Sequence, residues 1–269
     1  MRIARFAHRG EVSFGIVEGP PDAPRSELVV AQVEGHPFAP VKPTGVRHAL
    51  PDVRLLAPVL PSKVVCIGKN YADHVAEMKG LGTGDAPDAP LLFLKPSTSV
   101  VGDGDAVVHP RDSEEVHYEG ELAVVVGRLC KEVPRERFSE VVLGYTVAND
   151  VTARDQQRSD GQWTRAKGHD TFCPLGPWVE TELVPHDLAL TTTLDGETRQ
   201  SGRTSQLIHD LPALVQYVST AMTLLPGDVI LTGTPAGVGA MRPGQTVTVT
   251  VEGIGTLTNR VVAPAEAGL

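Results

Sequence analysis

Glu119 and Glu121 stand two apart in the run Tyr118-Glu119-Gly120-Glu121-Leu122-Ala123-Val124-Val125-Val126, and Asp150 follows further along the chain. The run 121–126 is rich in β-branched and aliphatic residues, which predicts a strand. Side chains on a strand alternate faces, so both glutamates leave on one side, roughly 7 Å apart along the chain. Two like charges at that spacing repel unless a cation or a proton lies between them. Asp150, from the next strand end, would complete an all-oxygen site for a hard divalent ion, Mg²⁺ or Mn²⁺. An isolated Glu-x-Glu is more often a solvated strand end, so the surroundings decide.

His74 and Glu77 are three apart and would share one face of a short helix, capped by Asn70 and running to Lys79, with Gly80 as its stop. A carboxylate beside an imidazole orients the ring and raises its basicity, which suits activation of water. An exposed ion pair on a surface helix has the same spacing. Three ionised carboxylates around a divalent ion leave a net negative charge, which nearby cations would compensate. Arg154 and Lys167 follow Asp150, and Lys95 precedes the glutamate strand. Lys95 could equally be a strand-end lysine that only pairs with an acid.

These residues fall in ordered blocks: Ile67-Gly68-Lys69-Asn70-Tyr71-Ala72-Asp73-His74-Val75-Ala76-Glu77-Met78; Phe93-Leu94-Lys95-Pro96; the glutamate run; Asp150-Val151-Thr152-Ala153-Arg154-Asp155-Gln156-Gln157 with Arg165-Ala166-Lys167-Gly168-His169-Asp170-Thr171-Phe172; and Leu225-Pro226-Gly227-Asp228 with Thr232-Gly233-Thr234-Pro235. Together they resemble the fumarylacetoacetate hydrolase family, over residues 63–262 or so. The resemblance implies a mixed β-roll and a homodimer. It also implies a lid whose His74–Glu77 pair activates water, with Gly80, Gly82 and Gly84 as its hinge. Arg154, Gln157 and Lys167 would line the active site, Thr234 would contact substrate, and Thr171 would lie next to the metal. His169 departs from the aromatic residue usual there, which bears on pocket shape.

Such a site would act on small anionic 2-oxo acids whose carboxylate and 2-oxo group chelate the ion. Enol–keto isomerisation of the 2-hydroxyhepta-2,4-diene-1,7-dioate type and C–C hydrolysis of the acylpyruvate type share the metal half, as does oxaloacetate decarboxylation. Lys167 would stabilise the developing enolate in each. A rival from another class is a non-haem iron enzyme, because His117 and Glu119 have the His-x-carboxylate spacing of a facial triad, with His169 or His209 as the distant ligand. A non-catalytic protein of the same fold is the other, although it would predict a broken residue set.

The elements that must position these groups are mostly strands. Residues 1–6 and 12–17 read as a hairpin around His8-Arg9-Gly10, and 28–33 as a third short strand, forming a small β-rich module over residues 1–60. The remainder, 61–269, reads as the catalytic domain. Strands are expected at 64–67, 121–126, 143–148 and 229–232, with a hairpin of 246–251 and 256–262 around Glu252-Gly253-Ile254-Gly255. Helices are expected at 211–222, capped by Asp210, and at 135–142. The fold class is α+β, rich in β.

Composition agrees with an ordinary enzyme: 41% hydrophobic residues suffice for a core. A formal net charge of −9 and the lack of a basic cluster argue against nucleic acid or an anionic membrane surface. No apolar run approaches a membrane span or a signal peptide. Cys66, Cys130 and Cys173 are odd in number and widely spaced, which suits buried thiols in a reducing cytoplasm.

Overall fold

The aliphatic run after Glu119 forms the strand Gly120–Val126, buried along its whole length. Leu122, Val124 and Val126 enter one apolar cluster, and Ala123 and Val125 enter another on the opposite face. Burial on both faces explains why the segment is a continuous apolar run. It is a middle strand of a mixed sheet in a computed structural model that describes residues 1–21, 23–79 and 88–267.

In spatial order the sheet runs Pro43–Ala49, Val29–Val33, Glu11–Glu18, Arg2–His8, Cys173–Glu180, Val142–Asn149, Gly120–Val126, Val229–Leu231, Val64–Gly68 and Leu91–Lys95. Most neighbours are antiparallel; Val229–Leu231 and Val64–Gly68 are parallel. A five-stranded sheet is built on the hairpins Ala189–Leu194 with Glu197–Arg203 and Thr246–Val251 with Gly255–Val262. A small sheet joins Thr152–Ala153, Val116–Tyr118 and Gly239–Met241. The architecture is α+β and strand-rich, as expected, with a β module at the N-terminus. That module continues the central sheet, because Arg2 and Ile3 pair with Glu180 and Val179.

The expected hairpins around residues 8–10 and 252–255 form. The helix Leu211–Ala221 forms too: Asp210 Oδ1 accepts the Ala213 N–H at 2.9 Å, and Leu211, Leu214, Val215 and Val218 make its buried face. Two expectations need correction. Residues 135–142 give only a 3-10 turn, Arg135–Arg137, and one α turn, Phe138–Val141, because Val142 already pairs with Val126 in the sheet. Asn70 does not cap the helix Ala72–Lys79; its amide instead bonds the carbonyls of Thr232 and His209 and the His209 N–H. The stop at Gly80 and the hinge glycines 80, 82 and 84 lie outside the described residues.

Candidate active site

Register brings the three acids together. Gly120 pairs with Asn149 in an antiparallel register, so Glu119 before the one comes level with Asp150 after the other, and the Asp150 N–H donates to the Glu119 carbonyl at 2.8 Å. Asn149 Oδ1 accepts the Glu119 N–H at 2.9 Å, which fixes the turn into the strand. One oxygen each from Glu119, Glu121 and Asp150 then lie within 4.8 Å of one another, and all three residues are buried.

Cations answer this charge. Lys167, on the helix Thr164–Gly168, places Nζ 2.7 Å from both Glu119 Oε2 and Asp150 Oδ2. Arg154, on the helix Arg154–Ser159, pairs with Glu119 through Nη2, donates to Gln157 Oε1 at 2.7 Å through Nη1, and reaches His117 Nδ1 at 3.4 Å through Nε. Among the described residues, Glu121 receives only the Gly233 N–H, at 2.6 Å. The titration behaviour follows. Burial works to raise the Glu119 carboxyl, but Arg154 and Lys167 hold it well below the carboxylate range. Burial, then Asp150 and Glu119, push the Glu121 carboxyl well above it. Burial would lower the Lys167 ammonium, and Asp150 and Glu119 outweigh that and raise it.

A cavity of about 570 Å³ opens over these groups. Its walls include Glu119, Glu121, Asp150, His74, Arg154 and Gln157, together with Lys167 and Thr234. His74 is buried, and its Nδ1 lies 3.1 Å from Glu77 Oε2. Glu77 sits behind it, where the Gly237 N–H meets its two oxygens at 3.1 and 3.3 Å. Burial opposes ionisation of Glu77, and the His74 and Gly237 hydrogen bonds lower its pKa in spite of that. Thr234 Oγ1 donates to the Gly120 carbonyl at 2.9 Å.

Other expected residues are placed elsewhere. Lys95 is fully buried behind Asp150 and is absent from the cavity wall. Thr171 uses its hydroxyl to accept the Val108 N–H at 2.8 Å. His117 gives no facial triad: its ring contacts Arg154 and Glu115, and the metal-competent cluster among the described residues contains no histidine. Burial, and Arg154 beside it, push the His117 pKa down to about 4. His169 Nε2 lies 2.7 Å from Gln156 Oε1. Sequence reasoning missed Phe93, Trp163 and Arg158 as wall residues. Phe93 carries the Lys167 ammonium 4.8 Å from its ring centre and meets the Trp163 ring edge-on at 5.2 Å. Trp163 precedes the lysine helix by one residue, and that adjacency was the available signal.

The donor set suits a divalent cation. Among the described residues, Asp150 Oδ1 is buried without a hydrogen-bond donor, and Glu121 is held by a single amide. Both are oxygen ligands of the kind Mg²⁺ and Mn²⁺ take, and a bound ion would remove the penalty that three adjoining acids impose. The site thus defines a class: a β-rich enzyme fold holding a triad of carboxylates, able to bind a metal ion, beside buried cations in a cavity of small-molecule size.

Residues 63–262 match the family model described as fumarylacetoacetate (FAA) hydrolase C-terminal, and residues 1–58 match that described as Rv2993c-like, N-terminal. The chain belongs to the fumarylacetoacetate hydrolase family, whose members are isomerases, tautomerases and hydrolases. It is similar to the solved structure of 5-carboxymethyl-2-hydroxymuconate delta-isomerase from Mycobacterium smegmatis, with 54% identity, a TM-score of 0.90, and coverage of 98% of this chain and 100% of that one. Oxaloacetate tautomerase YisK of Bacillus subtilis (strain 168) is 41% identical over 227 residues, covering 80% of this chain and 75% of that one. Maleylpyruvate hydrolase from Sphingobium sp. SYK-6, solved in complex with manganese(II) ion and pyruvate, is 29% identical with a TM-score of 0.78, covering 98% and 99%. No helix among the described residues is long and apolar enough to cross a membrane.

Proposed function

We propose that the protein is a divalent-metal-dependent enzyme that interconverts the enol and keto forms of small 2-oxo carboxylic acids. One observation carries the reading: Lys167 Nζ bridges Glu119 and Asp150 on the wall of a cavity that His74 and Arg154 also line. Glu119, Glu121 and Asp150 would hold Mg²⁺ or Mn²⁺, which supplies Lewis acidity and a template for a chelating 2-oxo acid. Arg154, steadied by Gln157, and Lys167 attract the anionic substrate, and the Lys167 ammonium stabilises negative charge as it develops on the 2-oxo oxygen. Glu77 takes the Nδ1–H of His74 as a hydrogen bond, which leaves Nε2 to accept and return a proton at C3. The isomerase and tautomerase names among the similar proteins support this reaction.

Likeness to a maleylpyruvate hydrolase favours a second reading, in which His74 Nε2 activates water for attack at C4. The same assay separates them, and separates oxaloacetate decarboxylation too. Oxaloacetate, acylpyruvates and hydroxydienedioates are incubated with Mn²⁺ while enol absorbance and pyruvate release are followed. Tautomerisation removes enol without pyruvate, and oxalate, which resembles the pyruvate enolate, inhibits competitively. No acceleration with any 2-oxo acid would sink the proposal. Calorimetry should show one Mn²⁺ site that Glu121→Ala abolishes. From the family resemblance we take the working form to be a homodimer, and from the three widely spaced cysteines a cytoplasmic protein; light scattering of the purified protein checks the oligomeric part.

A further inference from the structure

Gln200 lies outside every sequence block discussed above and is absent from the cavity wall, yet it touches both halves of the site. It is the one buried residue of the strand Glu197–Arg203. Its carboxamide is fully used: Oε1 accepts the Gly120 N–H at 2.9 Å, and Nε2 donates to Thr234 Oγ1 at 2.7 Å and to the Pro235 carbonyl at 2.8 Å. Gly120 separates the two glutamates. Thr234 and Pro235 belong to the 232–237 loop, whose Gly233 N–H holds Glu121 and whose Gly237 N–H holds Glu77.

The strand grips this loop a second time. Gly237 has φ +101° and packs so closely on the strand that a Cβ there would lie 2.1 Å from the Arg199 carbonyl oxygen. The hairpin register also shifts at this point: Thr192 faces Gln200 and Thr193 faces Thr198, which leaves Arg199 extra. Such bulges re-aim side chains beside functional sites. Here the bulge accompanies an inward amide on an otherwise outward-facing polar strand.

We propose that Gln200 is a positioning residue, a buried amide clamp that fixes the glutamate strand and the loop carrying Glu77 in one register. The acids and the His74–Glu77 pair come from distant parts of the chain, and proton transfer loses about 10²-fold for a displacement on the order of 1 Å. A side chain bonded to both segments sets their separation. The inference rests on the metal-dependent reading above.

Gln200→Met keeps the length of the side chain and removes all three bonds. Mn²⁺ affinity by calorimetry, and kcat and KM for oxaloacetate enol, are compared with wild type where circular dichroism shows both proteins folded. Mn²⁺ should bind about tenfold more weakly, the usual cost of losing an outer support. The kcat should fall about ten- to hundredfold, with KM moving less. A folded variant with a lower melting temperature but wild-type Mn²⁺ affinity and kcat overturns the proposal. Should the methionine variant not fold, Gln200→Glu keeps an acceptor for Gly120 and loses both donors. It should retain Mn²⁺ binding with kcat about tenfold lower or more, and undiminished turnover overturns the clamp. Affinity is read without substrate, so wild-type protein that binds Mn²⁺ and processes no 2-oxo acid refutes the proposed reaction, while the methionine variant's affinity still decides the clamp.

Discussion

The Lys95 ammonium lies 2.7 Å from Asp150 Oδ1 and gives that oxygen no hydrogen bond. Its three protons go to the carbonyls of Val151, Lys167 and Phe172, at 2.9, 2.6 and 2.8 Å. One buried cation therefore gathers three turns of backbone around the aspartate and faces it with charge alone. Asp150 Oδ1 keeps its lone pairs for another partner.

Lys95→Met should consequently damage architecture and ion binding together. Removing the donor strands three buried carbonyls, a loss on the order of 3 kcal/mol or more. Urea unfolding of the apo-protein and Mn²⁺ calorimetry check both effects. Wild-type values for each would show that Lys95 organises nothing.

His74→Ala should lower kcat by about 10²–10⁴-fold, the range for removing a general acid–base group, while Mn²⁺ affinity stays put. Decarboxylation needs no attacking water, so any such activity should survive better than hydrolysis. Normal turnover in this variant would reduce the His74–Glu77 pair to a structural contact.

Asp228 introduces a pH dependence away from the cavity. It accepts from the Ser62 N–H and Oγ–H, the Lys63 N–H and the Leu225 N–H, and it pairs with the Lys63 ammonium. Burial would raise its pKa, but Lys63 and Ser62 carry it below the ordinary aspartate value. A depressed carboxyl contributes stability above its unfolded pKa, and that contribution is lost as pH falls through the folded value. Urea midpoints should therefore drop below a pH of about 4 in wild type. In Asp228→Asn they should already be reduced at neutral pH, with a flatter acid limb. Parallel acid limbs in the two proteins would exclude this assignment.

Gly68 sets the room available to Trp163. A Cβ at position 68 would lie 2.9 Å from the indole, so Gly68→Ala must shift the ring or the strand beneath it. A ring shifted into the cavity shortens it. We expect kcat/KM for a seven-carbon dienedioate to fall about tenfold relative to four-carbon oxaloacetate, the scale on which pockets discriminate chain length. Trp163→Ala should move the ratio the other way. An unchanged ratio in both variants would remove Trp163 from specificity.

The chemistry was legible where it lay on strongly patterned elements. Glu119, Glu121 and Asp150 flank aliphatic strands whose register follows from burial, so their convergence could be read from spacing. The cavity's other groups lie on segments with no such pattern. Arg154–Ser159 and Thr164–Gly168 are short, polar helices with no apolar stripe, placed by ion pairs to the acids. The hairpin of Ala189–Leu194 and Glu197–Arg203 was missed although Asp195-Gly196 is a strong turn signal, with φ of +52° and +84°. Its second strand is polar throughout, and nothing local reveals that one amide turns inward. Asn70 misled in the opposite sense: a residue suited to capping is used for tertiary bonds to positions 209 and 232.

The pairing of Arg2 and Ile3 with the strand Cys173–Glu180 makes the opening module a matter of cooperativity and solubility. Phe6, Leu28, Val30 and Leu55 share one apolar cluster with Leu122, Val124 and Ile230. Cutting the chain at residue 61 would uncover that cluster and leave backbone N–H and C=O groups at the end of Cys173–Glu180 unpaired, an invitation to edge-to-edge aggregation. The same strand begins directly after Phe172, whose carbonyl Lys95 holds. Melting of the N-terminal hairpin should therefore register in the cation site as part of one unfolding transition.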